Sequence, residues 1–159
     1  MKKIFLMVAL VATAFVQNSF AQDSTDKTQP DQLLALYYNV KDALVGGKAS
    51  VAATNAADFV KAANALDAEA LPEKSRSALL KSAGDISKAK DIKKQREYFA
   101  AFSDQMFALA QTTKLSKAPI YKAYCPMKKA SWLSSEKAIK NPYYGSAMLT
   151  CGKVVETLK

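Results

Sequence analysis

Apolar side chains recur every three or four positions over most of the chain. Leu33, Leu36, Tyr37, Val40 and Leu44 form one stripe and predict a helix over 30–46, with Thr28 as N-cap, Pro30 and Asp31 in the first turn, and Gly46-Gly47 as the stop. An alanine-rich stretch carrying Phe59, Val60, Ala63 and Leu66 predicts a second helix over 48–70, whose small residues let a neighbour approach closely. Pro72 breaks that run and opens a third helix, 73–88, with Leu79, Leu80, Ala83 and Ile86 on its inner side. Asp91 is the expected N-cap of a fourth, 91–113. There Ile92, Phe99, Phe102, Met106 and Leu109 keep a 3.6-residue period for more than four turns. Phe59, Leu79, Phe99, Phe102 and Met106 are the expected centre of the core. The reading is an all-α fold, an antiparallel four-helix bundle, with an irregular C-terminal Cys-containing segment packed on it.

The texture changes after the polar link 114–118. Ile120 to Tyr124 alternates and reads as extended, and Asn-Pro-Tyr-Tyr-Gly at 141–145 is turn chemistry. Ser146 is placed to cap a short last helix through Met148 and Cys151, which Gly152 interrupts before Val154 to Leu158. At the other end, Lys2 and Lys3 precede an apolar run from Ile4 to Val16, and Ser19-Phe20-Ala21 offers small residues to a signal peptidase. Residues 1–21 are therefore expected to be a cleaved signal peptide, 22–29 a disordered leader, and 30–159 a single helical domain. That organisation predicts a periplasmic or secreted protein and not an integral membrane protein.

Charge sharpens the picture of the C-terminal segment. The chain carries a formal +9, and outside the signal region the excess lies in residues 114–159, with nine Lys against Glu136 and Glu156. A solvated lysine surface accounts for this; so does a basic face for an acidic partner. Nucleic acid is not expected, because the excess charge is all Lys, without the arginine forks that read bases. There is no His in the chain, which removes Ser-His and Cys-His catalysis and His-based zinc sites. No Gly-rich phosphate loop and no suggestive carboxylate pair occurs, so an enzyme is not expected.

The remaining chemistry is sulfur. Cys125 and Met127 flank Pro126, and Met148 and Cys151 stand three apart. In an exported chain the cysteine pair reads first as a disulfide, closing a long loop and worth roughly 3 kcal/mol by the chain-entropy model. Two thiolates with two thioethers are also a soft ligand set, suited to Cu(I) or Ag(I) rather than to hard cations. Both readings are open, and they can alternate, since only the reduced pair binds metal. The metal reading names Cys125, Met127, Met148 and Cys151 as ligands.

Six motifs carry a resemblance to a known family: Cys125-Pro126-Met127, Trp132-Leu133-Ser134, Asn141 to Gly145, Met148 to Gly152, and, in the helices, "KDAL" at 41–44 with "QREYFAAFS" at 95–103. The chain resembles the exported bacterial family catalogued as domain of unknown function 3347. The resemblance implies a small helical periplasmic domain, found alone and attached to adaptor subunits of heavy-metal efflux pumps. It thus adds weight to copper or silver handling and implies an efflux-pump partner. The expected function is a non-enzymatic accessory domain that binds a soft metal ion. The alternative is a disulfide-stapled helical module that binds an envelope protein.

Overall fold

The computed structural model describes residues 29–159, so the expected signal peptide, the leader up to residue 28 and the Thr28 cap lie outside it. Four helices come first: α1 (Pro30–Val45), α2 (Ala49–Ala65), α3 (Glu73–Lys88) and α4 (Ile92–Thr112). Their bounds follow from local chemistry. Gln29, and not the expected Thr28, stands at the N-cap of α1, without a side-chain cap bond. Gly47, at φ +69°, turns the chain between α1 and α2. The Asp91 carboxylate accepts the Lys93 and Lys94 N–H groups at 2.9 and 3.0 Å and starts α4. The second helix is shorter than the sequence predicts. It stops at Ala65 because Arg76 of α3 reaches across and donates to the carbonyls of Ala63, Leu66, Asp67 and Leu71, which holds residues 66–71 as a loop.

Short connections return each helix against the one before it, and α1, α2, α3 and α4 pack in chain order. Phe59, Leu79, Phe99, Phe102 and Met106 are all fully buried, as the stripes predict. Gln95 and Arg96 fasten the start of α4 to the ends of its neighbours. Gln95 Nε2 donates to Ala49 O and Ala89 O at 2.9 and 2.8 Å, and an Arg96 guanidinium nitrogen donates to Leu44 O at 2.8 Å.

The all-α expectation is corrected beyond residue 119. Three strands form a small antiparallel sheet: β1 (Ile120–Cys125), β2 (Ala130–Ser134) and β3 (Lys153–Leu158), in the order β2-β1-β3. The expected helix through Met148 and Cys151 is only a 3₁₀ turn, Gly145–Met148. The reason is pairing at long range. β1 is alternating and aromatic, and it finds one partner across a four-residue turn and another beyond the whole 135–152 loop. β1 pairs with β2 from Tyr121↔Ser134 to Cys125↔Ala130, and with β3 from Ile120↔Leu158 to Tyr124↔Lys153.

The sheet is bound to the helices through its β2 edge. Tyr37 of α1 is wholly buried, with its ring 5.4 Å from that of Phe99 and 5.3 Å from that of Phe102. Its hydroxyl lies 2.6 Å from Ser103 Oγ of α4 and accepts the Leu133 N–H of β2 at 3.0 Å. The Tyr143 hydroxyl donates to the Ser131 carbonyl two residues earlier on the same edge. Two tyrosines thus cap the polar edge of β2, which would otherwise stand unpaired against an apolar core. Burial pushes the Tyr37 phenol well above its usual range, so it stays a neutral hydroxyl.

Two substitutions test this arrangement by denaturant unfolding. Phe102→Ala is expected to cost about 3–5 kcal/mol as a central cavity. Tyr37→Phe, which keeps the ring and orphans the Leu133 N–H, is expected to cost about 1–3 kcal/mol. A Tyr37→Phe protein as stable as the parent contradicts the edge-capping role.

Candidate functional site

The pairing register decides where the cysteines go. Cys125 is the last residue of β1, and Cys151 stands two residues before β3, whose Lys153 pairs with Tyr124. Both sulfurs therefore reach the same end of the sheet. Cys125 Sγ and Cys151 Sγ are 3.6 Å apart, both as free thiols. Cys125 is fully buried and Cys151 is partly exposed.

Two features bring the second cysteine in. Gly152 sits at φ +145°, and a Cβ there would come within 2.8 Å of the Trp132 ring and 3.0 Å of the Tyr124 carbonyl oxygen. Only glycine lets the chain pass so close between Cys151 and β3. The other feature is Asn141, buried at the head of the Asn-Pro-Tyr-Tyr-Gly loop. Its Nδ2 donates to Cys151 O at 2.7 Å, while its Oδ1 accepts the Tyr143 N–H at 2.8 Å. Its backbone N–H reaches Leu149 O, and its carbonyl accepts the Gly145 N–H, both within 2.9 Å. One side chain thus folds the loop and holds Cys151 by its backbone. The sequence marks this asparagine only as the start of a turn; the bond to Cys151 has no local signature.

The hairpin turn Pro126–Lys129 supplies the surroundings of the first sulfur. The Lys128 N–H donates to Cys125 Sγ at 3.4 Å. Burial pushes the Cys125 thiol up, but the Lys128 N–H, the Asn141 amide, the Cys151 thiol and the Met127 N–H all favour the thiolate. Together they hold it below the usual thiol range. Cys151 moves the other way. Its thiol proton is held by the hydrogen bond to Cys125, and desolvation and the neighbouring sulfur's charge add to that. The pair is therefore asymmetric: Cys125 gives up its proton more readily than an ordinary thiol, and Cys151 less readily.

The methionines expected beside the cysteines are near in the chain and differ in setting. Met127 occupies the hairpin turn as a residue 64 % exposed, and its backbone N–H faces the two sulfurs. Met148 ends the 3₁₀ turn half-buried, and its carbonyl accepts the Cys151 N–H at 3.1 Å. Among the described residues no group of three or more Cys, Asp, Glu or His side chains gathers as a metal site. Two clefts among the described residues lie elsewhere. One lies between the start of α1 and the 114–118 link, beside Leu34, Tyr38 and Leu115; the other lies between α3 and α4, beside Ser82 and Tyr98. Of the aromatics in the segment, Trp132 and Tyr143 are buried. Their rings are 6.1 Å apart, and Tyr143 is 5.8 Å from Phe99, so they seat the sulfur loop on α4. The lysine excess is partly engaged: Lys122 lies 3.4 Å over the Phe107 ring, and Lys140 pairs with Glu136 at 2.8 Å.

The thiol asymmetry has a direct readout. A pH titration of thiolate absorbance on the reduced, metal-free protein is expected to show two separate steps, Cys125 below the ordinary thiol range and Cys151 above it. Cys151→Ala removes the S–H donor and moves the Cys125 step up. A single step at the ordinary thiol pKa in the parent protein contradicts the asymmetry.

No helix among the described residues is long and apolar enough to cross a membrane. No curated protein and no solved structure matches the chain. The family described as "Protein of unknown function (DUF3347)" matches residues 33–118, from the first turn of α1 to the end of the link after α4. The match takes in the 41–44 and 95–103 phrases, including Gln95, Arg96, Phe99, Phe102 and Ser103, while Cys125, Cys151 and the motifs around them lie beyond it. With more than half of its length matched, the chain belongs to this family of unknown function.

Proposed function

We propose that this protein is a non-enzymatic accessory domain of the periplasm that binds a soft monovalent metal ion, Cu(I) or Ag(I), at the Cys125–Cys151 pair. The observation that carries the reading is the 3.6 Å approach of two free sulfurs, one of them already favoured as thiolate. Taking about 2.3 Å for a metal–thiolate bond, sulfurs at this separation subtend an angle of about 100° at the metal. That is well short of linear, so a third donor is called for. The thioethers of Met148 and Met127 are the soft candidates nearest in the chain. A monovalent ion between two thiolates leaves a net negative centre, which the surrounding lysines tolerate. The signal-like N-terminus and the family resemblance support an exported setting and a partner among envelope or efflux-pump proteins.

The same separation supports a second state. Sulfurs 3.6 Å apart are within reach of each other for the roughly 2.05 Å bond of a disulfide. That state is the stapled interaction module, and it excludes metal.

A Cu(I) competition titration on the reduced protein tests the reading. One Cu(I) per chain is expected, with affinity reduced at least tenfold, about 1.4 kcal/mol, in Cys125→Ser. Binding should be abolished by prior oxidation. Met148→Leu and Met127→Leu report which thioether completes the site. Reduced protein that binds no more tightly than Cys125→Ser ends the metal reading; unchanged binding in both Met variants leaves a two-thiol site.

A further inference from the structure

We propose that the cysteine pair is a thiol–disulfide exchange site with a fixed direction, in which Cys151 meets the external sulfur compound and Cys125 is the internal resolving thiol. Burial and position carry the assignment. Cys125 is fully enclosed, ends the central strand of the sheet and has the Lys128 N–H on its sulfur. Cys151 is partly exposed on the far side of the sulfur pair, in the loop that leads into the edge strand β3. A small-molecule disulfide approaching from solvent must align its S–S bond with the attacking sulfur, and only Cys151 is reachable for that.

The chemistry closes without an added cofactor. Cys151, having lost its proton to solvent, attacks a disulfide R–S–S–R; the S–S bond breaks, one RS⁻ leaves, and a Cys151–S–S–R mixed disulfide forms. Cys125 Sγ, 3.6 Å away in the reduced protein, then gives its proton to solvent and attacks Cys151 Sγ. The second RS⁻ leaves and the Cys125–Cys151 bond forms. Two protein thiols are oxidised, and one external disulfide is reduced to two thiols. Reduction retraces the path: an external thiolate attacks Cys151, and Cys125 departs into the hydrogen bond from Lys128. The oxidised pair cannot ligate metal, so the exchange regulates the site proposed above. It needs no metal itself, and the two ideas fail separately.

The experiment uses reduced full-length protein in chelator with oxidised glutathione, followed by acid quenching, intact mass and peptide mapping. In Cys125→Ser, a single glutathione adduct is expected on Cys151. In Cys151→Ser, adduct formation on Cys125 is expected to be at least about tenfold slower, because the thiol is enclosed. Wild type is expected to lose two thiols per chain and end as the internal disulfide, with any transient adduct mapping to Cys151. Equal adduct rates in the two variants overturn the assignment, as does wild type that accumulates stable adducts or first carries glutathione on Cys125. Should a variant misfold by circular dichroism, the wild-type time course decides alone.

Discussion

The Tyr37 hydroxyl is the bond on which the relation between helices and sheet depends. It is a donor and an acceptor at the meeting point of α1, α4 and β2, shared between Ser103 Oγ and the Leu133 N–H. A strand laid against an apolar helical core brings polar edge groups with it, and these must be satisfied or the strand stays in water. Tyr37 and Tyr143 meet that demand at Leu133 and Ser131 while their rings remain part of the aromatic core. Once β2 is fixed, β1 follows by pairing and β3 by pairing with β1. The position of both sulfurs is then determined within the width of a sheet. A helical scaffold thus sets the geometry of a site that no helix contributes to.

The helices were legible because their signals are local. A 3.6-residue apolar period, an aspartate at an N-cap and a glycine past a helix end all act within a few residues, and α1, α3 and α4 lie within a residue or so of the expected bounds. The end of α2 was not, since it is set by Arg76, ten residues further on, taking the Leu66 carbonyl. The sheet was illegible for a related reason. The alternation of 120–124 predicts an extended segment, but not whether a strand at 153–158 will lie beside it. Long-range pairing is decided by what the bundle leaves uncovered. Trp132 and Leu133 read as hydrophobic in any setting; that they press β2 onto α4 is a property of the assembled core.

The candidate site divides along the same line. Two cysteines in one segment announce themselves, and both readings open to the sequence, the disulfide and the metal site, bring them together. The groups that make the pair unequal are different in kind. The Lys128 N–H and the Met127 N–H are backbone donors, identical in every non-proline residue, and only the turn conformation aims them at sulfur. Met127 drew attention for its thioether, yet the part of it that faces the sulfurs is its peptide group. Asn141 and Gly152 likewise look like ordinary loop residues. Their roles, holding the Cys151 carbonyl and letting the backbone pass Trp132, exist only once the loop is closed.

The boundary of the family match gives this division a physical meaning. Residues 33–118 take in the four helices, α1 from its first turn on, and the Gln95 and Arg96 bonds that lock them, whereas the sheet and both cysteines follow. The helical part supplies most of the buried apolar surface, and so most of the folding free energy. The sulfur segment adds little core of its own. It borrows order through Tyr37, through Tyr143 on Phe99, and through Gly145, whose φ of +57° and missing Cβ let its loop lie against the Val45 carbonyl at the end of α1. A segment held by a few directional bonds on a rigid support can change its sulfur chemistry without unfolding what it stands on. The two sulfurs adjoin the 126–129 turn, the 135–152 loop and β3, while β2, whose edge the two tyrosines hold, is the strand packed on α4.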